Sequence, residues 1–289
     1  PPRRPAQPAG TGYTLSADGK LSITASLDGA FLWNAETGAK IRTFAGHTNL
    51  VVGSALSPDG KLIVTGSIDN SAILWDAESG MKRHTFSGHK DFVMAVALSA
   101  DGSRALTGCA DGSLNVWDAR TGKRIQGITG HNERVIALSA DGKRILCASG
   151  NSAVLLETDT GKKLRTFGAG SRSISSAALT PDNKRLFVAA FDGSALVWNT
   201  ETGQKLRSIS NNGKPIRDIA CSADGKLALL GSARNEAILW DGDAGRVGRP
   251  VEQGEVGEPA ARQAGHFESQ QSGRIAGRQI PGLAEREFR

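Results

Sequence analysis

The chain has 289 residues, 36 of them glycine, and a formal net charge of +6. With 39% hydrophobic and 22% charged residues it can bury a sizeable core, and this composition excludes wholesale disorder. No apolar run approaches the ~18 residues of a membrane helix, no early stretch has the layout of a signal peptide, and three cysteines without a CxxC pair make no disulfide framework.

Taken in chain order, residues 1–12 (PPRRPAQPAGTG) read as a flexible Pro-rich arm. From residue 13 the chain repeats itself. Trp33, Trp75, Trp117, Trp198 and Trp240 stand at intervals of 42, 42, 81 and 42. The interval of 81 splits at Leu156, which ends the matching run SAVLLE, so six units are present. Three kinds of turn keep the same period. The first is SADGK at Ser16, SPDGK at Ser57, SADGS at Ser99, SADGK at Ser139, TPDNK at Thr180 and SADGK at Ser222. The second carries Asp28-Gly29, Asp69-Asn70, Asp111-Gly112 and Asp192-Gly193, and the third ends at Gly38, Gly80, Gly122, Gly161 and Gly203.

Short apolar runs lie between the turns, as at Val93–Leu98, Arg104–Cys109, 114–117 and 123–128. Their length and spacing predict antiparallel strands, about four per unit. Helical periodicity is nearly absent. One twisted four-stranded sheet cannot cover both of its faces alone, whereas a radial arrangement buries each face against a neighbour.

A period near 42 with Gly-His early and Trp-Asp late resembles the WD40 repeat. The complete form appears in GHTNLVVGSALSPDGKLIVTGSIDNSAILWD (46–76) and GHKDFVMAVALSADGSRALTGCADGSLNVWD (88–118). The resemblance covers residues 13–241 and implies an all-β propeller of four-stranded antiparallel blades. Six units are recognisable, giving six blades or an incomplete set of seven. The regular SADGK and ETG phrasing resembles bacterial members of the family.

His47, Asp69 and Trp75, repeated as His89, Asp111 and Trp117, invite a hydrolase reading. Such chemistry needs one nucleophile and one base in one pocket, but this set recurs every 42 residues and falls on different blades. In the resembled family, these side chains and a strand hydroxyl form a buried hydrogen-bond chain, with Thr65 or Ser67 as the candidate hydroxyl. Only the second and third units carry every member. The fourth keeps His131 but has Leu156 in place of Trp, the fifth has Asp192 and Trp198 without His, and the sixth has Trp240 alone. The histidines lack zinc-motif spacing, and no P-loop or HExxH occurs. No enzyme activity, cofactor or metal is expected.

Binding is expected on the loop face. Leu27, Ile68 and Phe191 each precede the Asp of the second turn, and Lys90, Asp91, Phe92, Glu133 and Arg134 follow Gly-His. The resemblance places both groups on the top face, where apolar residues with charged neighbours fit a protein or peptide partner. Basic residues after each third turn, such as Lys40 and Arg42, fall on the outermost strand, where charge blocks edge-to-edge pairing. No aromatics interleave with them, which disfavours nucleic acid.

Residues 242–289 lose the repeat. They hold nine glycines and no lysine, and their seven Lys/Arg positions are all Arg. They read as a disordered Gly/Arg-rich tail, a differently evolved linker or an out-of-frame reading. The expected protein is a monomeric, cytoplasmic, non-enzymatic scaffold. The alternative is a sensor or targeting module of a larger bacterial signalling enzyme, such as a protein kinase.

Overall fold

The computed structural model describes residues 13–129, 134–170, 173–222, 224–232, 237–245, 248 and 267–268. No helix occurs among them. The first sheet contains β1 (Tyr13–Leu15), β2 (Leu21–Ser26), β3 (Gly29–Asn34) and β4 (Lys40–Phe44) in that order. The second holds β5 (Val51–Leu56), β6 (Leu62–Ser67), β7 (Ala72–Asp76) and β8 (Lys82–Phe86). The third holds β9 (Val93–Leu98), β10 (Arg104–Cys109), β11 (Leu114–Asp118) and β12 (Arg124–Ile128). The fourth runs through β13 (Arg134–Leu138), β14 (Arg144–Ser149), β15 (Ser152–Glu157) and β16 (Lys163–Gly168). The fifth runs through β17 (Ile174–Leu179), β18 (Arg185–Ala190), β19 (Ser194–Asn199) and β20 (Lys205–Ser210).

The sixth sheet departs from this order. It contains β21 (Ile216–Ser222), β22 (Leu227–Ser232) and β23 (Ala237–Asp241), with β24 (Phe267–Glu268) on the far side of β21. The Gly248 N–H donates to the Leu239 carbonyl at 2.8 Å, the bond an outer strand makes to β23. The five-residue turn Asp241 to Gly245 repeats the third turn of the other sheets, with the Gly245 N–H on the Asp241 carbonyl at 2.8 Å.

The turns explain why the strands stop where they do. In the first turn, the Ser or Thr hydroxyl donates to the Asp two residues on, at 2.6 Å in Ser57–Asp59, and the Lys61 amide donates to the same oxygen at 3.1 Å. The following glycine, Gly60, has a φ of 72°, which glycine adopts without a steric cost. The same bonding recurs at Ser16–Asp18, Ser99–Asp101, Ser139–Asp141, Thr180–Asp182 and Ser222–Asp224. Hydroxyl donors hold the carboxyls of Asp18, Asp101 and Asp224 below the usual range. At Asp59, Asp141 and Asp182 burial opposes ionisation, and the hydroxyl and amide donors outweigh it. A carboxyl depressed in the folded state stabilises it above the unfolded value and loses that contribution as pH falls. The melting midpoint should therefore stay flat from neutral pH to about 5 and fall steeply below about 4, where unfolded Asp titrates. Thermal melts across pH 2–8 check this, and a midpoint that fell instead between pH 7 and 5 would point to histidine as the controlling group.

Five hydrophobic cores lie between the six sheets, each shared by two consecutive sheets. Alternating strand residues make this necessary, because successive side chains face opposite sides. In β6, Ile63 packs toward the first sheet and Val64 toward the third. Each Trp meets a Phe at four of the junctions: Phe44–Trp75, Phe86–Trp117, Phe167–Trp198 and Phe187–Trp240, with ring centroids 4.8–5.9 Å apart. Leu156 stands in this place in the fourth sheet, packed with Ile128 of the third. Among the described residues, no such core joins the sixth sheet to the first. All three cysteines are reduced and buried, as their apolar settings predict, and burial pushes the Cys109 thiol up to about 11.

The basic outer strands do more than guard an edge. Arg42 of β4 donates to the carbonyls of Glu78 and Ser79 in the next sheet, at 2.6 and 3.2 Å. Arg165 of β16 does the same to Glu201 and Thr202 at 2.7 and 3.1 Å. A second series runs along the second strands. Arg104, Arg144 and Arg185 donate to the carbonyls of Gly142, Asn183 and Gly225 in the following sheet. These arginines latch the first, third, fourth and fifth sheets to their successors, and His84 Nε2, 3.0 Å from the Arg120 carbonyl, links the second to the third.

Candidate functional site

The polar chain is complete in the second sheet. The Trp75 indole N–H donates to Thr65 Oγ1 at 2.9 Å, and Thr65 Oγ1 lies 2.8 Å from His47 Nε2. His47 Nδ1 lies 2.9 Å from Asp69 Oδ2, which also accepts the Thr48 N–H. These partners assign the proton to Nδ1, so the Thr65 hydroxyl donates to Nε2. Ser71 donates its N–H and its hydroxyl to Asp69 Oδ1. Burial opposes ionisation of Asp69, but Ser71, the Thr48 amide and His47 hold its carboxyl low. The Ser71 hydroxyl is thus spent on Asp69 at 2.6 Å rather than on His47 at 3.3 Å. The histidine and aspartate side chains are 2% and 9% exposed, and this set bonds within its own repeat.

The third sheet departs from the expectation. Trp117 donates to Thr107, and Thr107 Oγ1 lies 2.8 Å from His89 Nε2. His89 Nδ1 is buried with no side-chain hydrogen-bond partner among the described residues and faces the Asn70 backbone instead. Among the described residues, Asp111 accepts only from Ser113. Burial pushes the His89 pKa below the usual histidine value. The missing contact is a difference in loop placement, since both units carry the same residue types.

The remaining sheets show how the chain dissolves. Trp33 still donates to Thr24 at 2.9 Å. In the fifth sheet Val188 takes the place of Thr65, and the Trp198 N–H has no acceptor among the described residues. Leu230 does the same to Trp240 in the sixth. Asp192 keeps its turn role and accepts from the Ser194 amide and hydroxyl at 2.8 and 2.5 Å. In the fourth sheet Cys147 replaces the hydroxyl and Leu156 the indole, so neither needs the other. His131 and Glu133 lie outside the described residues.

The loop face is built where the hairpin after each second strand meets the lead-in to the first. The Ile68 N–H donates to the Leu50 carbonyl at 3.1 Å, Ala110 to Phe92 at 2.9 Å and Phe191 to Ser173 at 3.1 Å. These bonds bring the two expected residue groups to one end of the sheets. Leu27 is 65% exposed, Phe92 45% and Phe191 37%. Lys90 is exposed, and Asp91 is half-buried with its carboxylate on the Phe92 amide at 2.7 Å. Ile68 is half-buried, because its loop closes onto Leu50. Arg134 opens β13, paired through its backbone with Ala148.

One groove of about 340 Å³ opens at the first and second sheets, lined by Leu27, Asp28, Ala45, Thr48, Asn49 and Leu50 among others. Met94 is 50% exposed and was not legible in the sequence. It is the extra residue of a β-bulge between Val93 and Ala95, which turns it away from the cores. Its run, VMAVAL, is apolar throughout, so alternation gives no sign of which residue faces out.

No helix among the described residues is long and apolar enough to cross a membrane. The family model for the WD domain, G-beta repeat, matches residues 38–76, 80–118 and 161–199. No curated protein matches the chain. The unit ending at Leu156, which lacks the Trp, lies between the matched segments. Each matched segment contains the Trp that closes a third strand, and the six antiparallel sheets repeat around the same turns; the chain is a WD40-repeat protein with a β-propeller fold.

Proposed function

We propose that this protein is a non-enzymatic scaffold that binds a protein or peptide partner through its loop face. WD40 repeats suggest an interaction scaffold in general. The observation that supports this particular face is the exposure of Leu27, Phe92 and Phe191 at the same end of three different sheets. Turns are ordinarily polar, and large apolar side chains held in water are spent on a partner. Their neighbours Lys90 and Asp91 supply a charged rim. The groove beside Leu27 accepts one inserted side chain or a short extended segment.

The triple change Leu27→Asp, Phe92→Asp and Phe191→Asp should abolish partner capture while shifting the melting midpoint little. The test compares wild type and variant as bait in parallel, with captured proteins quantified by mass spectrometry. A protein retained by wild type and lost by the variant supports the reading. Equal capture by both baits removes this face from the function, and a collapsed melting temperature makes these residues core.

A further inference from the structure

We propose that the groove at the first and second sheets takes a cationic side chain, lysine or arginine, from an extended peptide, with the Asp28 carboxylate as its counter-charge. This rests on the loop-face reading above and names the chemistry of the partner. The hairpin after β2 is one residue shorter than those after β6, β10 and β18. Counted back from the Trp, Gly29 stands in the place of Ser71, Ser113 and Ser194.

In the three longer hairpins the Asp is bound to that serine. Ser71, Ser113 and Ser194 donate both amide and hydroxyl to Asp69, Asp111 and Asp192, the hydroxyls at 2.5–2.6 Å. Gly29 brings no hydroxyl, and Asp28 lines the groove instead. The hairpin tip is fixed from behind. A side-chain carbon at Gly29 would collide with the Phe44 carbonyl oxygen, so glycine lets the tip rest directly on the backbone that leads into the groove.

The opposite wall is held by the second sheet. The Thr48 amide donates to Asp69 Oδ2 at 2.9 Å. The Ser67 hydroxyl reaches the carbonyls of Asn49 and Leu50 at 3.1 and 2.8 Å, and the Ile68 amide donates to Leu50. The polar chain that carries His47 and Asp69 thereby sets one side of the groove. Both walls are in place before a guest arrives, which favours binding because no loop has to be ordered.

Among the described residues that line the groove, Asp28 brings a negative charge and no Lys or Arg opposes it. The His47 side chain is 2% exposed and its Nδ1 lies on Asp69. Leu27 adds a large exposed apolar surface beside the carboxylate. A lysine or arginine matches both features, with its head on Asp28 and its methylene stem along Leu27. An acidic side chain would meet a like charge there. At about 340 Å³ the groove suits one such side chain with its flanking backbone.

The test pans the full chain with a phage-displayed library of random peptides. Wild type should enrich peptides that carry Lys or Arg beside an apolar residue. Asp28→Asn should lose that preference, and Asp28→Lys should exchange it for Asp or Glu. A synthetic selected peptide, titrated by fluorescence anisotropy, should bind Asp28→Asn roughly 10-fold more weakly or worse. The melting midpoint of that variant should match wild type, because Asp28 is exposed at a hairpin tip. Selected peptides with no basic position, or with one that Asp28→Asn binds equally well, overturn the proposal. If such peptides are still lost by the double variant Phe92→Asp and Phe191→Asp, the loop face remains the binding surface and only the groove assignment falls. A wild type that enriches no peptide overturns both.

Discussion

Replacing Thr65 with Val should destabilise the protein by about 2–6 kcal/mol, since each of two buried groups left unpaired costs about 1–3 kcal/mol. Thr65 is fully buried and connects the Trp75 indole to the His47 ring. Val keeps the shape and removes both bonds. Steric strain is not the cause, because Val188 occupies the same place in the fifth sheet, fully packed. Thr65→Ser should retain most of the stability. The reverse change, Val188→Thr, should raise it by about 1 kcal/mol, since it gives the Trp198 N–H an acceptor it now lacks. The neighbouring aspartates should differ in the same experiment. Asp69→Ala strips partners from His47, Thr48 and Ser71, whereas Asp111→Ala strips them only from Ser113. Urea unfolding followed by tryptophan fluorescence measures all of these. Equal effects at Asp69 and Asp111 would contradict the observed break in the third sheet.

Phe86→Ala should cost about 3–5 kcal/mol, the usual range for deleting a buried ring. Phe86 has no exposed surface and stacks on Trp117 at 4.8 Å with an interplanar angle of 17°. It belongs to the core shared by the second and third sheets. Each core joins only two neighbours, so no distant packing compensates for the cavity. Phe191→Ala is the internal control. That ring is 37% exposed on the loop face and should cost well under 1 kcal/mol. Equilibrium unfolding of the two variants checks the contrast. Similar losses would place Phe191 in a core and would weaken the proposed binding face.

Much of this molecule could be read in one dimension. The Trp spacing, the Ser-x-Asp turns and the Thr-Gly turns located six units, and strands lie between those turns. Of the loop-face residues, Leu27, Phe92 and Phe191 are exposed, while Ile68 is half-buried. Met94 escaped notice because a bulge, not an alternation, exposes it.

The sequence by itself determined the repeat, the strands and the turns. Those are local properties: a hydroxyl two residues before a carboxylate closes a turn wherever it stands. Tertiary structure alone decided which units couple. Arg42 reads as an edge charge until the second sheet brings the Glu78 carbonyl to it. His89 and Asp111 read as partners until their loops set them apart. Trp33 reads like every other Trp, yet among the described residues its aromatic partner, Phe31, comes from its own sheet. The reason is common to all three. Contacts within a unit follow from the spacing of its residues. Contacts between units depend on how two twisted sheets lie against each other, and the period is the same whether they meet or not.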